Sequence, residues 1–221
     1  DVDSFAFLNC FDLNYDTSPD DIVGLVNIGG DITTISVYKD GMPRFSRDIS
    51  IGGSTITSAI QQRLGISVAE ANTLKLNRGV PEEGGGDSQA SGGGMADTIR
   101  STVEAMTGEA GGAGDEQREA QADRAIRNTL SSLVGEIRRS IQFFENQSRG
   151  MRVKRLVMGG GASNIQRLDS YLQRELNLPV EIIDPLLRIP VSGKNISPDT
   201  LKEYRDTLSV SIGLALRKVL D

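Results

Sequence analysis

The order of elements that can be read along the 221 residues predicts an α/β fold. Three segments rich in β-branched residues come first, a long helical stretch follows, and the chain then alternates between strand and helix. With 38% hydrophobic residues, the chain can form one large domain or two small ones. The sequence therefore predicts an α/β body that is interrupted by a helical insertion.

The first third of the chain is predicted to contain a helix, a three-stranded unit and two further helices. Asp40-Gly41 is a strong signal for a two-residue turn between the second strand and the third. Gly65 is expected to end one helix, and Ser67 can cap the next. The predicted helices cover residues 2–14, 54–64 and 67–77, and the predicted strands cover residues 22–27, 32–39 and 43–51.

The middle of the chain changes in composition. Residues 79–96 combine two Gly triplets with Ser, Glu and Asp, so they are expected to form a flexible loop. A short helix over 97–106 and a second flexible break over 108–115 are expected before a long helix over 116–146. Apolar residues recur along one face of this long helix, namely Ile126, Leu130, Leu133, Ile137, Ile141 and Phe144. The rest of the chain is predicted to form strands over 153–158 and 180–183 and helices over 162–177 and 198–220.

Composition excludes several classes of chemistry. The chain contains no His, which excludes Ser-His-Asp triads, His-activated thiols and zinc sites of the HExxH type. The single Cys10 excludes a disulfide framework and favours a reducing compartment. Oxygen ligands remain, and these suit Mg²⁺ or Ca²⁺. The net charge of −6 argues against a general nucleic-acid surface, and no apolar run is long enough to span a membrane.

Two glycine motifs point to an anion site. Gly29-Gly30 ends a predicted strand and is followed by Thr33-Thr34, so backbone N–H groups can approach an anion that a Cβ would block. Gly159-Gly160-Gly161 joins a predicted strand to a predicted helix, whose N-terminus favours a phosphate or the edge of a nucleotide. Either motif alone is explained by a tight turn. The pair, separated by a helical insertion, favours a nucleotide cleft.

Three segments carry a resemblance to a known family. They are FSRDISIGGSTITSAIQQRLGISVAEANTLK, SSLVGEIRRSIQFFENQ and VKRLVMGGGASNIQRLDSYLQRELNLPVEIIDPL. They resemble the actin/Hsp70/FtsA ATPase superfamily and, within it, the PilM-like proteins of type IV pilus assembly. The resemblance implies a ribonuclease H-like fold of two lobes around a cleft, of which this chain is the C-terminal lobe with a helical insertion subdomain.

The resemblance also implies a domain organisation. Residues 1–20 would be the end of the N-terminal lobe, and residues 21–51 and 147–221 would form the nucleotide-cleft subdomain. Residues 52–146 would form the helical insertion subdomain, with flexible loops at 79–96 and 108–115.

The site residues follow from the same resemblance. Asn27 and Asp31 are the candidates to hold Mg²⁺ through water, and no residue is assigned a catalytic role. The implied phosphate-binding residues are Asn27, Gly29, Gly30, Asp31, Thr33 and Thr34. The implied nucleoside-binding residues are Gly52, Gly53, Asn72, Lys75, Gly159, Gly160, Gly161 and Ala162.

Two departures from the family pattern bear on the chemistry. Asn27 stands where the family usually has Asp, and a neutral amide holds a metal more weakly than a carboxylate. Asn72 stands where the family usually has a Glu that contacts ribose or base, while Lys75 is retained. We therefore expect nucleotide binding with weak or absent hydrolysis, as in a pseudo-ATPase.

The implied function is that of a bacterial cytoplasmic scaffold in the assembly of a type IV pilus or a related secretion system. Such a protein would bind ATP and Mg²⁺ and would lie at the inner face of the inner membrane as a peripheral protein. Its partner would be the cytoplasmic tail of a PilN-like inner-membrane protein, bound through an N-terminal lobe that is mostly missing from this chain. Self-association would fit this fold, whereas a nucleic-acid partner is not expected. Two alternatives stay open, an active ATPase or sugar-kinase-like enzyme and an FtsA-like filament-forming division protein.

Overall fold

A computed structural model describes residues 3–81, 112–191 and 207–220 of the chain. The helices are α1 (Asp3–Asn14), α2 (Gly53–Leu64), α3 (Val68–Arg78), α4 (Gly112–Gln147), α5 (Leu168–Leu176) and α6 (Leu208–Leu220). The strands are β1 (Val23–Ile28), β2 (Thr33–Lys39), β3 (Met42–Ile49), β4 (Arg155–Gly159) and β5 (Val180–Ile182).

The five strands form one mixed sheet in the order β3-β2-β1-β4-β5. β2 is antiparallel to both β1 and β3, whereas β4 is parallel to both β1 and β5. Asp40 and Gly41 have φ values of 52° and 72°, as the predicted two-residue hairpin turn requires. The carboxyl ends of β1 and β4 therefore meet at one edge of the sheet, as in other parallel strand pairs.

One face of the sheet packs against a helical layer that includes α2, α4 and α5. Val26 and Ile28 of β1 point into this first core, together with Ile35 of β2 and Met158 of β4. The long helix α4 lies in the same core and buries the apolar face that its sequence predicts, since all six residues of that face are buried: Ile126, Leu130, Leu133, Ile137, Ile141 and Phe144.

The opposite face of the sheet packs against α1 and α6. Phe7 and Phe11 of α1 lie in this second core beside Leu25 of β1 and Tyr38 of β2. The Tyr38 hydroxyl donates a hydrogen bond to Asp12, which attaches α1 to the hairpin. Alternate residues of β1 therefore serve two separate cores, which is the pattern of a sheet covered on both faces.

The prediction of a helix over residues 162–177 is wrong at its start, because α5 begins only at Leu168. Gly160 has φ of 94° and Arg167 has φ of 64°, and neither value is compatible with a right-handed helix. Between them the chain makes consecutive turns, in which Ser163 N–H donates to the Gly160 carbonyl and Leu168 N–H donates to the Ile165 carbonyl.

The predicted flexible loop over 79–96 is wrong for its first residues. Val80 is only 3% exposed, and its N–H donates to the Gln166 carbonyl at 2.8 Å. Most of the rest of that loop, the helix expected over 97–106 and the first half of the break expected over 108–115 lie outside the described residues. Residues 112–115 belong to α4, so the second half of the predicted break is helical. Of the last predicted helix, residues 198–206 also lie outside the described part.

Helices α1 and α6 approach so closely that a Cβ does not fit between them. A Cβ added to Gly213 would lie 1.7 Å from the Ala6 carbonyl oxygen, which belongs to the backbone and cannot rotate away. We expect Gly213→Ala to lower the free energy of unfolding by about 1–3 kcal/mol, the usual effect of overpacking. Chemical denaturation of both proteins measures the change.

Gly135→Ala is the matched control for this prediction, since an added Cβ at Gly135 in α4 would meet nothing within 4 Å outside the backbone of its own helix. Alanine has the higher helix propensity, so this substitution should leave stability equal or raise it by up to about 1 kcal/mol. Equal stability of Gly213→Ala and the wild type would contradict the close crossing of α1 and α6.

Candidate functional site

The Gly29-Gly30 turn lies at the carboxyl end of β1 and is held by the first residues of α2. Gly53 N–H donates to the Gly29 carbonyl at 3.0 Å, and Ser54 N–H donates to the Gly30 carbonyl at 2.7 Å. Gly29 N–H in turn donates to the Ile32 carbonyl at 2.9 Å and closes the turn between β1 and β2. The turn therefore satisfies two N–H groups that the helix itself leaves without partners.

A third segment, the turn after β4, reaches the same point. Ala162 N–H donates to the Ile28 carbonyl at 3.0 Å. An added Cβ at Gly160 would lie 2.4 Å from Asn27 Oδ1 and 2.6 Å from the Ile28 carbonyl oxygen, and the residue has a positive φ of 94°. Glycine is required here by both conformation and space. The two glycine motifs of the sequence are thus neighbours at one sheet edge.

Two cavities open on either side of the Gly29-Gly30 turn, and both are lined by these two glycines. The first, which we call the lysine cavity, has a volume of about 500 Å³ and extends between α2, α3 and the turn after β4. The second, which we call the acidic cavity, has a volume of about 600 Å³ and extends between the start of α1 and the β1–β2–β3 hairpins.

Lys75 is the charged residue that lines the lysine cavity. It is only 7% exposed, and its Nζ donates to the Gly53 carbonyl at 3.3 Å and to Thr57 Oγ1 at 3.1 Å. Both acceptors are neutral. Burial lowers the pKa of Lys75 because it disfavours the charged form. The cavity therefore presents a buried ammonium group whose hydrogen bonds to Gly53 and Thr57 supply no countercharge.

The acidic cavity has the opposite electrostatic character. It is lined by the carboxylates of Asp3, Asp31 and Asp48 beside the amide of Asn27, and its lining residues include no Lys or Arg. Thr34 Oγ1 donates to Asp48 at 2.8 Å. Within the described residues, no three His, Cys, Asp or Glu side chains cluster closely enough to hold a metal ion. A cation in this cavity would therefore need water or ligand oxygens in addition to protein oxygens.

The structure brings most of the sequence-predicted site residues to these cavities. Gly29 and Gly30 line both. The lysine cavity is also lined by Gly53, Asn72, Lys75, Gly161 and Ala162, and the acidic cavity is also lined by Asn27, Asp31 and Thr34.

Four of the predicted residues lie behind the cavity walls. The Thr33 hydroxyl donates to the Ile51 carbonyl at 2.7 Å and is buried. Gly52 packs against the turn, since an added Cβ would lie 2.3 Å from the Gly30 carbonyl oxygen. Gly159 packs against Phe7 in the second core, and Gly160 packs against Asn27. These four residues shape the site, and none lines either cavity.

Sequence reasoning missed several lining residues. Val68 and Leu76 lie four residues before and after Asn72 on α3, so helical periodicity around Asn72 could have found them. Asp3 and Asp48 reach the acidic cavity only through the packing of α1 and the β2–β3 pairing, which no local pattern predicts. The other missed residues are Ser4, Ile32, Ser46, Ser54, Thr57, Ser58 and Asn164.

The cavity walls leave room for a ligand close to the backbone. An added Cβ at Gly30 would meet only Ser54 Oγ, at 3.6 Å, and one at Gly161 would meet only Thr207 Cγ2, at 3.8 Å. Unlike Gly52 and Gly160, these two glycines are not required by internal packing. The free space beside them, with hydroxyl, amide and ammonium donors around it, can accommodate a ligand that has polar or anionic groups.

A family model described as "Cell division protein FtsA" matches residues 24–213 of the chain. Among solved structures, a chain of a "PilM-PilN type IV pilus biogenesis complex" has a TM-score of 0.71 and 23% identity, and the match covers 99% of this chain and 52% of that one.

Two further structures have similar folds. MreB 5 of Spiroplasma citri bound to AMPPNP has a TM-score of 0.59 and 13% identity, with 98% of this chain and 58% of that chain covered. An archaeal actin homolog has a TM-score of 0.54 and 13% identity, with 97% and 53% covered. The chain spans between half and three fifths of the length of these structures. The likeness confirms the predicted α/β fold of the actin-like, PilM-like type.

The buried charge of Lys75 should lower the stability of the protein without a ligand. We expect Lys75→Met to raise the free energy of unfolding at pH 7 by about 0.5–2 kcal/mol, because Met fills the space without a buried charge. The pKa of Lys75 is lowered in the folded protein, so the wild type gains stability as pH rises through that pKa towards the ordinary value of 10.5. The advantage of Lys75→Met should therefore shrink with rising pH.

Thermal or chemical denaturation between pH 6 and about pH 10 measures this dependence. Lys154→Met is the control, since Lys154 is exposed and its replacement should have little effect at any of these pH values. A Lys75→Met protein that is less stable than the wild type throughout would show that the ammonium group has a stabilising partner.

Proposed function

Because the chain belongs to the family described as cell division protein FtsA, we propose that it is an actin-like scaffold protein that binds ATP across the lysine cavity and the acidic cavity. We propose weak or absent hydrolysis, and a role in the assembly of a type IV pilus or a related secretion system. The observation that supports this most is the pair of cavities that share the Gly29-Gly30 turn.

The lysine cavity is suited to the nucleoside end of ATP. Val68 and Leu76 offer apolar contact to a base, and the amides of Asn72 and Asn164 can donate to and accept from polar edges of the base or ribose. Lys75 offers a positive charge close to the wall that the two cavities share, because its Nζ contacts Gly53, which in turn contacts Gly29. Open space at Gly30 and Gly161 lets the ligand approach the backbone.

The acidic cavity is suited to phosphates only in the presence of a cation. Three carboxylates would repel a triphosphate, and Mg²⁺ would offset that repulsion by binding phosphate oxygens. Asn27 and Asp31 are the side chains that we expect to hold Mg²⁺ through water. When bound, Mg²⁺ would neutralise charge that develops on the phosphates.

Weak hydrolysis is proposed from the character of position 27. Asn27 lies at the carboxyl end of β1 and lines the acidic cavity, where a carboxylate would attract Mg²⁺ more strongly than the neutral amide does. Asp31 carries a charge nearby, but it lies in the turn between β1 and β2 rather than on the strand. The metal would therefore be held less firmly than by an aspartate at position 27.

The pilus role is supported by the likeness to the fold in the "PilM-PilN type IV pilus biogenesis complex". By this proposal the partner is the cytoplasmic tail of a PilN-like protein, and the protein works at the inner face of the inner membrane and can self-associate. Among the helices of the described residues, none combines the length and the apolar character that a membrane span needs. Because the chain spans about half of the PilM structure, the partner surface is proposed for the whole protein.

A second candidate function is favoured by the description of the family model, which is that of a cell-division protein. A protein of that kind would assemble into filaments when it binds nucleotide. Sedimentation with and without ATP, alongside pull-down by a PilN-like cytoplasmic peptide, separates the two functions. Filaments without peptide binding would favour the division role.

Nucleotide binding itself is tested by calorimetric titration of full-length protein with ATP and Mg²⁺. We expect the wild type to bind ATP. Gly30→Val should bind ATP at least about tenfold more weakly, because the valine side chain would take up ligand space beside the wall that the two cavities share. Removal of Mg²⁺ with EDTA should weaken binding as well, because the three carboxylates would then face the phosphates without a cation.

Gly135→Val serves as the control, since a side chain at position 135 has free space around it and this residue of α4 lines neither cavity. It should bind ATP as the wild type does. Failure of the wild type to bind, or wild-type affinity of Gly30→Val, would contradict the proposed use of the two cavities.

Asn27→Asp should strengthen the interaction with Mg²⁺ with little change in stability, because the two side chains have nearly the same shape. In full-length protein we expect Mg²⁺-dependent ATP affinity or turnover to rise about tenfold, which corresponds to roughly 1.4 kcal/mol. Steady-state phosphate release and titration with ATP at several Mg²⁺ concentrations measure the two quantities.

Asn164→Asp is the matched control for charge, since it places a carboxylate in the lysine cavity instead. It should not raise the response to Mg²⁺. If both substitutions act alike, or if Asn27→Asp changes neither affinity nor turnover, then position 27 does not face the metal.

A further inference from the structure

Arg167 occupies a position that is unusual for its residue type. It directly precedes α5 and has φ of 64°, in the left-handed region that glycine adopts without strain. Its guanidinium group reaches across to the end of α3, where Nε donates to the Val80 carbonyl at 2.8 Å and Nη2 donates to the Arg78 carbonyl at 2.7 Å. The strained backbone therefore coincides with a contact between elements that are distant in sequence.

The same two segments are also joined by a backbone hydrogen bond. Val80 N–H donates to the Gln166 carbonyl at 2.8 Å, and an added Cβ at Gly79 would lie 2.6 Å from that same carbonyl oxygen. The end of α3 and the turn before α5 are thus fastened together by three hydrogen bonds. We call this contact, made by Arg78, Gly79 and Val80 with Gln166 and Arg167, the arginine clamp.

The clamp joins the two walls of the lysine cavity. The wall on α3 carries Asn72 and Lys75, one to two turns before the clamp, and the wall on the turn after β4 carries Ala162 and Asn164, a few residues before Arg167. The distance between these walls sets the width of the cavity. A contact that fastens both walls at their far ends therefore limits how far they separate.

The clamp continues to the first turns of α4. The Arg78 guanidinium donates to Asp123 through Nε at 3.1 Å and Nη2 at 2.8 Å, and it also pairs with Glu119 at 2.6 Å. Asp123 is buried, and its hydrogen bonds raise the pKa of Arg78. The Arg78 side chain therefore links the α3 wall to the N-terminal part of α4.

We propose that Arg167 is a positioning residue that holds the two walls of the lysine cavity at the spacing that its ligand needs and couples the occupancy of the cavity to the start of α4. The inference rests on the proposed nucleotide site. It goes beyond that site because Arg167 lines neither cavity and acts through the main chain of α3.

The test uses Arg167→Gly in full-length protein. Glycine adopts the left-handed conformation without strain, so this variant removes the guanidinium group while it keeps the backbone path into α5. We expect a melting temperature close to that of the wild type and an affinity for ATP with Mg²⁺ that is roughly three- to tenfold lower, in line with the loss of one or two hydrogen bonds that hold the walls.

Two further measurements separate positioning from a general structural role. Asn164→Ala and Arg167→Gly act on the same wall, so their combined loss of ATP affinity should be smaller than the product of the single losses. Arg138→Ala is the control, because Arg138 also donates to a backbone carbonyl between two elements, that of Glu175, but lies away from the cavity. Arg138→Ala should leave the ATP affinity nearly unchanged. In the double variant with Asn164→Ala, the loss of ATP affinity should equal the product of the two single losses.

Hydrogen exchange of the protein without ligand keeps the two proposals distinguishable. Arg167→Gly should speed exchange at the Val80 amide, over residues 161–166 and in the first turns of α4, whereas Arg138→Ala should not. If the wild type does not bind ATP, the proposed function fails and this measurement still decides whether the clamp holds the walls. Unchanged exchange in Arg167→Gly, or wild-type ATP affinity in a protein that binds ATP, would overturn the inference.

Discussion

The arrangement of the site depends on main-chain hydrogen bonds at the carboxyl end of β1. Two segments bind the backbone of residues 28–30 at this point. The start of α2 binds it through the N–H groups of Gly53 and Ser54, and the turn after β4 binds it through the N–H group of Ala162. Side chains at Gly52 or Gly160 would separate these segments, because the nearest backbone atoms lie within 3 Å of an added Cβ. Both cavities, and the mutual position of their walls, therefore follow from a small set of backbone contacts that require glycine at positions 52 and 160.

The division of charge between the cavities follows from which elements supply the walls. Helix α3 contributes the buried Lys75, whereas the start of α1 and the β2–β3 hairpin contribute Asp3 and Asp48. A ligand that fills both cavities is favoured when it brings negative charge to their shared wall, close to Lys75, and a cation to the acidic cavity. The proposed ligand, ATP with Mg²⁺, meets both conditions.

Local chemistry predicted much of the fold, and packing determined the rest. The Asp40-Gly41 turn, the cap at Ser67 and the apolar face of α4 each depend on residues close in sequence, and the structure confirms all three. The start of α5 was mispredicted because the left-handed Arg167 is stabilised by carbonyls about 90 residues earlier. Asp3 and Asp48 reach the acidic cavity for the same kind of reason, since only the assembled sheet brings α1 and β3 to the Gly29-Gly30 turn.

The site contains features that a protein selected for stability alone would avoid. Lys75 is a buried cation hydrogen-bonded to neutral oxygens, and Arg167 has a strained, left-handed backbone conformation. Each of these costs free energy in the protein without ligand. A ligand that pairs with the ammonium group relieves the cost at Lys75, so its binding is linked to the stability of the folded state. The arginine clamp fastens the cavity walls to α3 and, through Arg78, to α4. In its proposed role, the stabilisation that a ligand provides at the cavity walls therefore extends to both helices.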